Sequence, residues 1–330
     1  MKKILLIRFS SIGDIVLTTP VIRALKKQLN CELHILTKGQ YVDIFSANPY
    51  VDHIHSFTNN TNEVFSKLKS ENFDFIVDLQ KNIRSINLRR ELKRPSAAFP
   101  KLNRQKWILV NLKIDKLPDV HIVDRYFEAV SRLNVKNDGL GLNYFIPEED
   151  NIIPLDFNPV LQKGYIGFVI GGKHNTKILP VEKIISIIEG LQLPVLLLGG
   201  PEDRERGNEI IQQVKSSEVI NSCGDLRLNQ SASLVKQASL IITNDTGLMH
   251  IAAAFKKSII SLWGNTVPKF GMYPYMPGKE NYSFLSEVYQ LNCRPCSKLG
   301  FSKCPKKHFK CMLAQDESRL LKIAKEFSKL

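Results

Sequence analysis

One segment of the sequence runs directly from a predicted buried strand into a predicted helix through polar residues: "LIITNDTGLMHIAAAF". Asn244 and Asp245 are good N-cap residues, and the helix is predicted to begin at Thr246 and Gly247. A helix N-terminus presents unpaired N–H groups and a positive partial charge, and a glycine there lets a ligand approach the backbone closely. The segment is therefore a candidate phosphate-binding site.

His250 follows Thr246 by one helical turn, so it is predicted to lie on the same side of the helix, within reach of a phosphate or a neighbouring sugar. A plainer interpretation gives the same residues structural roles. In it, Asp245 only caps the helix and His250 is a hydrogen-bonded core residue. The segment by itself favours neither interpretation.

Two more strand-to-helix junctions are predicted in the same half of the chain. The segment "GGKHNTKILP" places Gly172, Lys173 and Lys177 in a glycine-led loop before a helix, where lysines are well placed to neutralise a diphosphate. The segment "GGPEDRE" places Glu202 where a carboxylate could accept hydrogen bonds from the hydroxyls of a ribose or another sugar. Three such junctions on one sheet edge indicate a nucleotide site more strongly than any one of them.

The first junction of the chain has a different character. The segment "LLIRFSSIGDIVLTTP" delivers Ser11, Gly13 and Asp14 to the carboxyl end of the first predicted strand. Because Asp14 would repel a phosphate, this junction is not expected to bind the nucleotide. A carboxylate beside a cleft suits a general base, although an ordinary N-cap aspartate is the alternative.

Standard signatures of other chemistries do not occur in the sequence. It contains no G-x-G-x-x-G, Walker A, H-E-x-x-H or G-x-S-x-G pattern, and no D-x-D pair of the kind that holds a metal on a nucleotide sugar. If a diphosphate leaves, lysines and helix N-termini must therefore take up its charge. We expect no required metal cofactor.

The net charge of +14 is concentrated in two segments. Residues 81–106 contain nine Lys or Arg against one Glu, and residues 293–330 contain ten against three acidic residues. This local excess indicates anionic partners at particular surfaces. The first segment is too interrupted for a clean amphipathic helix, and it favours contact with a phosphorylated or membrane-bound substrate. Its candidate acceptor-binding residues are Arg84, Arg89 and Arg90.

The C-terminal region contains four of the six cysteines. They are Cys293, Cys296, Cys304 and Cys311, with His308 between the last two. Four thiols and a histidine in a reducing compartment are compatible with a tetrahedral structural zinc site. Free thiols packed under a C-terminal loop would give the same spacing, so both interpretations stay open.

Short apolar runs alternate with amphipathic segments along the chain, which is typical of a doubly wound α/β fold. Residues 134–163 are rich in Asn, Asp, Gly and Pro and are predicted to link two domains, 1–155 and 156–330. Open α/β sheets bind ligands at the carboxyl ends of their strands, so two facing domains would enclose a cleft. The predicted strands are 3–8, 32–37, 53–57, 73–78, 164–172, 194–200, 218–221, 239–243 and 258–264. The predicted helices are 15–29, 121–133, one from Pro180, one from Glu202, 229–238 and 246–255.

The N-terminus lacks a signal-peptide pattern, and no run of about 18 apolar residues occurs, so a cytoplasmic protein is expected. The basic segments also lack interleaved aromatic residues, which argues against single-stranded nucleic acid as a partner.

The motifs "IRFSSIGDIVLTTPVIRALKK", "NPYVDHIHSF", "GGPED" and "NDTGLMHIAAA" together resemble, in order and separation, the ADP-heptose:lipopolysaccharide heptosyltransferases of bacterial glycosyltransferase family nine. The resemblance runs from residue 1 to about 315. It implies a GT-B fold, with two Rossmann-like domains that bind the acceptor and the nucleotide sugar respectively. It also implies an inverting, metal-independent transfer of heptose from ADP-heptose to the lipopolysaccharide inner core.

The resemblance assigns roles to individual residues. Asp14 looks like the family's catalytic base, with Ser11 and Gly13 beside it in the acceptor region, and Lys177 is similar to the lysine that contacts the donor phosphate. Gly172 and Lys173 stand where family members often have hydroxyl residues, and Ile178–Leu179 replaces an aromatic residue expected before the proline. These departures leave the identity of the donor sugar nucleotide open. The residues that match the family's donor-binding positions are Glu202, Asp245, Thr246, Gly247 and His250.

The partners implied by the resemblance are a nucleotide-diphosphate sugar and a phosphorylated, lipid-linked oligosaccharide. Such an enzyme would contact the anionic membrane peripherally, at the cytoplasmic face of the inner membrane. Three alternatives stay open at this point: a GT-B transferase for another nucleotide sugar, a sugar epimerase of similar architecture, and a non-catalytic basic protein that docks on membrane or nucleic acid.

Overall fold

The computed structural model describes residues 1–215 and 218–328, so the last two residues of the basic segment 293–330 lie outside the described residues. The strands are β1 (Lys2–Ile7), β2 (Cys31–Lys38), β3 (His53–Phe57), β4 (Phe75–Asp78), β5 (Ser96–Ala98), β6 (Ile166–Val169), β7 (Val195–Leu198), β8 (Val219–Asn221), β9 (Leu240–Asn244), β10 (Ser258–Trp263) and β11 (Ser283–Glu287). The α-helices are α1 (Ile12–Val16), α2 (Thr19–Gln28), α3 (Phe65–Ser70), α4 (Ile83–Leu92), α5 (Asn103–Leu112), α6 (Ile122–Phe127), α7 (Pro154–Phe157), α8 (Val181–Gly190), α9 (Arg204–Gln213), α10 (Leu228–Gln237), α11 (Gly247–Ala254), α12 (Lys310–Leu313) and α13 (Glu317–Phe327).

The strands form two sheets, each of which is parallel throughout its described pairs. The first has five strands in the order β3-β2-β1-β4-β5, and the second has six in the order β11-β10-β9-β6-β7-β8. Strands β4, β6, β7, β9 and β10 are buried along their whole length, as expected for parallel strands covered on both faces. The predicted doubly wound α/β architecture is confirmed.

Each sheet is the centre of one compact unit. Unit 1 comprises Met1–Lys101 and Val120–Pro147, and unit 2 comprises Leu102–Asp119 together with the chain from Glu148 onward. The segment Leu102–Asp119 contributes α5 to unit 2, where its Leu109 and Leu117 pack against Phe270. The sequence pattern did not indicate that residues 102–119 belong to the second unit.

The basic segment forms more helix than the sequence predicted. Residues 81–106 were predicted to be too interrupted for a clean amphipathic helix; α4 nevertheless occupies most of the first half, without a strong apolar face, and α5 begins in the last residues. Asn82 caps α4: its side chain accepts a hydrogen bond from the Ser85 N–H at 3.0 Å, and its own N–H donates to the Ser85 hydroxyl at 3.0 Å. This local capping compensates for a weak apolar face.

One edge strand of each sheet was also missed. Strands β5 and β11 and the C-terminal helix α13 were not predicted. Strand β5 is only three residues long, and the alternation of β11 is only partly buried, so neither carries a strong apolar run. Two predicted helices are divided: residues 15–29 contain the end of α1 and all of α2, and residues 121–133 contain α6 followed by a 3-10 helix, Glu128–Leu133.

A buried arginine fixes α2 to the segment that follows α6. Arg23 is 2% exposed and forms a bidentate pair with Asp138, with N···O distances of 2.6 and 2.7 Å, and it also donates to the Gly141 carbonyl at 2.9 Å. The hydrogen bond from Arg23 is the main cause that lowers the pKa of Asp138. The stabilisation is therefore present above the ordinary carboxyl pKa of about 3.9 and is lost as the pH falls below it.

We expect Asp138→Asn to lower the free energy of unfolding by about 3–5 kcal/mol, because it leaves the buried Arg23 without its counter-ion. Urea denaturation at neutral pH measures the loss. Asp119→Asn is the matched control, since the Asp119 side chain is 92% exposed and lies 3.6 Å from the Lys269 amine. That change should cost less than about 1 kcal/mol. Equal losses in the two variants would contradict the role given to Arg23.

Candidate active-site residues

The junction after β1 is organised by Arg8, which is 5% exposed. Its Nη2 lies 2.6 Å from Oδ1 of Asp14, its Nε donates to the Ser10 carbonyl at 3.0 Å, and its Nη1 bonds to the Leu79 carbonyl and to the Tyr126 hydroxyl. Burial lowers the pKa of Arg8, but Asp14 and its other partners more than offset this, so the pKa is raised. Arg8 therefore stays charged and holds the Asp14 carboxylate at the end of the sheet.

Asp14 lies in the first turn of α1 and is not its N-cap. Ser11 is the N-cap, and its N–H and hydroxyl lie 3.3 and 3.1 Å from Oδ2 of Asp14. The N-cap alternative weighed for Asp14 was therefore wrong in detail, because the carboxylate closes a capping box from the third helical position. Gly13 is buried and Ser11 is exposed. The Asp14 side chain keeps 25% exposure, so solvent reaches it.

A buried carboxylate, Asp78, lies at the end of β4, just before the basic segment. Asp78 is fully buried and accepts hydrogen bonds from the N–H groups of Gln80 and Lys81 at 2.9 and 2.7 Å and from the Ser85 hydroxyl at 2.9 Å. Nε of Arg89 lies 3.1 Å from its Oδ2. Arg89 is thus neutralised by Asp78 and orients α4, which distinguishes it from the exposed Arg84 and Arg90.

Arg84 lines a polar cavity of unit 1 with a volume of about 390 Å³. Its Nη1 lies 3.4 Å from the Asn59 carbonyl, which ties α4 to the loop after β3. The lining combines one cation, one carboxylate and several amides, a composition that suits a hydroxylated or phosphorylated ligand. The lining residues are Asn59, Asn60, Thr61, Asn62, Arg84, Asn87, Leu88 and Glu91.

In unit 2, two of the predicted junctions and one that was not predicted come together at the carboxyl ends of neighbouring strands. The loop after β6 carries Lys177, whose amine lies 2.5 Å from Oδ2 of Asp245, the residue that follows β9. The Thr266 hydroxyl, from the loop after β10, donates to the same Asp245 oxygen at 2.9 Å. Both charged side chains are largely buried, at 16% and 13% exposure, so the pair is partly shielded from water.

The helix N-terminus predicted after β9 is formed by α11, with Thr246 as its N-cap. The prediction that Asn244 or Asp245 caps this helix was wrong. Asn244 is the last residue of β9, and its amide donates to the Val169 and Gly171 carbonyls at 3.3 and 3.1 Å. It therefore ties the loop after β6 to the sheet, and the first N–H groups of α11 are left for another acceptor.

His250 is 2% exposed, so its ring lies in the interior of unit 2. By contrast Thr246 and Gly247 are only half-buried, and Thr246 lies against the loop that carries Gly172. The part of the predicted donor element that reaches the surface is therefore Asp245–Gly247, and His250 is not part of it. A donor-binding role for His250 stays a prediction.

The loops after β6 and β7 are held together by Asp203, which is 3% exposed. Its carboxylate accepts from the Gly200 N–H at 3.1 Å and pairs with Arg206 at 2.7 Å, while burial raises its pKa. A Cβ on Gly171 would lie 1.9 Å from the same carboxylate, so only glycine fits there. Glu202, the predicted nucleoside contact, directly precedes Asp203 and is exposed. Lys173, two residues after Gly171, is also exposed.

The cysteine-rich segment packs beside the end of β10. Arg294 donates to the Gly264 carbonyl at 2.6 Å and pairs with Glu287 at 3.0 Å, and the Phe301 N–H bonds to the Thr176 hydroxyl at 2.8 Å. The segment therefore supports the loop that carries Lys177.

The four cysteines of this segment lie near one another, and burial, reinforced by neighbouring thiols, raises the pKa of Cys296 to about 11. Burial likewise raises the pKa of Cys311 to about 11. Sγ of Cys293 lies 3.7 Å from Nε2 of His308. Within residues 1–215 and 218–328, however, no three sulfur or nitrogen atoms of this segment lie within 4.8 Å of one another. A zinc at Cys293, Cys296, Cys304 and Cys311 stays a prediction, and it would require the segment to contract.

Sequence reasoning missed the residues that hold the candidate site in place. Arg8 stood out only as the charge that ends an apolar run, and Thr266 follows a strand without any motif. The signal that could have found Arg8 is a cation at the buried end of a strand directly before a polar turn, since such a charge needs a counter-ion.

Three comparisons place the chain among known proteins. Residues 62–303 match the model of glycosyltransferase family 9 (heptosyltransferase). Lipopolysaccharide heptosyltransferase 2 of Salmonella typhimurium is 32% identical over 133 residues, which is 37% of this chain. The chain thus spans 37% of the length of that curated relative.

Two solved structures share the fold along nearly the whole chain. A family 9 glycosyl transferase from Veillonella parvula superposes with a TM-score of 0.79 at 20% identity and covers 99% of this chain and 97% of that chain. The E. coli ADP-heptose lipopolysaccharide heptosyltransferase II superposes with a TM-score of 0.75 at 19% identity and covers 100% and 99%. The GT-B fold predicted from the sequence is confirmed.

We expect Gly171→Ala to lower the free energy of unfolding by about 1–3 kcal/mol, because the new methyl group collides with the immobile Asp203 carboxylate. Urea denaturation measures this cost. Gly39→Ala is the control, since the nearest atom to its new methyl group would be the Phe57 carbonyl at 3.9 Å. If both variants unfold at the same urea concentration, the close contact between the two loops does not constrain unit 2.

Proposed function

Because this chain belongs to glycosyltransferase family 9, we propose that it transfers heptose from ADP-heptose to the inner core of a lipopolysaccharide. The cluster of Lys177, Asp245 and Thr266 beside the α11 N-terminus is the observation that carries the proposal. The names of the Salmonella and E. coli relatives support heptose as the sugar, and the name of the E. coli relative supports ADP-heptose as the donor.

In this proposal the donor binds unit 2. The Lys177 amine and the first N–H groups of α11 take up the negative charge that grows on the diphosphate as it leaves. Asp245 accepts from Lys177 and Thr266, so it holds the amine in position before the donor arrives. Glu202, exposed after β7, is proposed to accept hydrogen bonds from the ribose hydroxyls.

The acceptor is proposed to bind unit 1, where Asp14 acts as general base. Its carboxylate takes the proton from the acceptor hydroxyl while the oxygen attacks the anomeric carbon and the bond to the diphosphate breaks. Attack from the face opposite the leaving group inverts the configuration at that carbon. Arg8 and Ser11 fix the carboxylate, so the exposed part of Asp14 faces the incoming hydroxyl.

Phosphates on the acceptor are proposed to meet the basic surface of α4, with Arg84 and Arg90 as the exposed cations. The polar cavity beside Arg84 would take a neighbouring sugar. Among the described residues, no helix is both long and apolar enough to cross a membrane. We therefore propose peripheral contact with anionic lipid at the cytoplasmic face of the inner membrane, driven by these arginines.

Donor binding can be tested by thermal shift with ADP, UDP and GDP. We expect ADP to raise the Tm, because a ligand at 100 times its Kd adds about 2.7 kcal/mol to the stability of the folded state. Lys177→Ala and Asp245→Asn should abolish the shift. Asp156→Asn, an exposed carboxylate in the same unit, should leave it unchanged.

Each outcome of this panel distinguishes one alternative. A shift only with UDP or GDP would replace ADP-heptose with another nucleotide sugar. A shift that survives both variants but disappears with salt would favour charge-driven binding by a basic protein, which depends steeply on ionic strength. If no nucleotide stabilises the chain, the donor site in unit 2 is wrong.

The role of Asp14 is tested by Asp14→Asn with ADP-heptose and a heptose-free lipopolysaccharide core. Turnover should fall by about 10²- to 10⁴-fold, the usual contribution of a general base, while the ADP thermal shift stays within error. Asp119→Asn, which is exposed and remote from the proposed base in sequence, should keep normal turnover. Near-normal turnover in Asp14→Asn would remove the residue from the reaction.

A further inference from the structure

Unit 1 contains a cluster of histidines and glutamates that the transfer reaction does not use. Glu32 and His34 lie on β2, His53 and His55 lie on β3, and Glu71 directly follows α3. Alternate residues of a strand point to the same face of a sheet. Because β2 and β3 are parallel neighbours with His34 opposite His53, these side chains meet on one face.

Three of these residues place their ligand atoms close together. Oε1 of Glu32 lies 2.8 Å from Nε2 of His53 and 3.2 Å from Nε2 of His34, and all three ligand atoms lie within 4.8 Å of one another. Metal–ligand bonds of about 2.0–2.1 Å in tetrahedral geometry hold the ligand atoms about 3.4 Å apart. Side-chain shifts of a few tenths of an ångström would therefore admit an ion.

His55 is placed to orient one of these ligands. Its Nε2 lies 2.9 Å from Nδ1 of His34, and the two rings are stacked with their centroids 5.2 Å apart. A metal-bound histidine usually donates its second ring N–H to a fixed acceptor. With Nδ1–H of His34 donating to His55, Nε2 of His34 is free to bind a metal. His55 is 3% exposed, so it cannot turn away easily.

The charges at the cluster also suit a cation. The Lys3 amine is engaged by Glu71 at 2.8 Å and lies 4.0 Å from Glu32. Glu32 is therefore the carboxylate available to a metal.

An ion can reach this group from solvent. The His53 side chain is 52% exposed and Glu32 is 21% exposed, whereas His34 is 1% exposed. A second grouping of His34, His55 and Glu71 also lies within 4.8 Å, but both of its histidines are buried and Lys3 already binds its carboxylate. The accessible group is Glu32, His34 and His53.

We propose that Glu32, His34 and His53 form a binding site for a divalent transition-metal ion, with zinc as the preferred ion. Two imidazoles and one carboxylate are the ligands that zinc and related ions favour, and they leave a coordination position for water. The ion would link β3, the edge strand of the sheet, to β2. This inference is independent of the proposed transfer reaction, because the ligands lie in the first halves of their strands and Asp14 follows the end of β1.

The test is a titration of the full chain with Co²⁺, a spectroscopic substitute for zinc. It is carried out in a Cys293→Ser, Cys296→Ser double variant, which removes two of the four competing thiols of the C-terminal segment, and the absence of a thiolate band reports on the other two. One equivalent should bind without a thiolate-to-cobalt charge-transfer band. His53→Ala should weaken binding by more than about 100-fold, and His55→Gln, which changes only the orienting residue, by about 10- to 100-fold. His174→Ala, a half-buried histidine of unit 2, should leave binding unchanged.

A folded state is checked in each variant by circular dichroism, and Glu32→Gln provides a second ligand substitution of nearly the same size. The proposal is overturned if Co²⁺ does not bind the double variant. It is equally overturned if His53→Ala and Glu32→Gln both bind Co²⁺ as tightly as their parent. In that event the cluster is a hydrogen-bonded network alone, and its short distances reflect imidazole–carboxylate hydrogen bonds.

Discussion

A strand in the middle of a parallel sheet is covered on both faces, so the end of the strand is where charged side chains are most readily accommodated. This constraint accounts for the positions of four charged residues of the candidate site. Asp14 follows β1, Asp78 ends β4, Lys177 follows β6, and Asp245 follows β9. The packing of the apolar strand interiors determines where each strand ends. The polar loops begin at those points, although they contribute little to the core.

Buried charges then fix the geometry of these ends. Arg8, Asp78 and Asp203 are each at most 5% exposed, and each bonds to at least two separate backbone or side-chain groups. A buried charge is tolerated only when it is paired and hydrogen-bonded, so each of these residues dictates the path of the loop around it. The loops are consequently as defined as the strands that they follow, which is the preorganisation that a catalytic or binding group requires.

The same logic explains which features were predictable. Apolar runs such as "LLI" and "LIIT" locate the central strands, and the polar residues after them locate Asp14, Lys177 and Asp245. The short edge strands β5 and β11 lack such runs, and helix α4 depends on the cap at Asn82, so pattern alone missed them. The placement of α5 in unit 2 depends on contacts of Leu109 and Leu117 with Phe270, which is more than 150 residues away in sequence. No local signal encodes such a contact.

The Lys177–Asp245 pair places an acidic side chain beside the proposed phosphate site. A carboxylate beside a helix end that is proposed to bind phosphate would normally oppose an anionic ligand. Here one Asp245 oxygen is taken by both the Lys177 amine and the Thr266 hydroxyl, so much of its charge is already satisfied by hydrogen bonds. An amine has three donors and Asp245 uses one of them, which leaves Lys177 able to bind a phosphate oxygen without leaving its partner. The carboxylate then costs the ligand little repulsion, and it removes from Lys177 the side-chain freedom that binding would otherwise have to restrict.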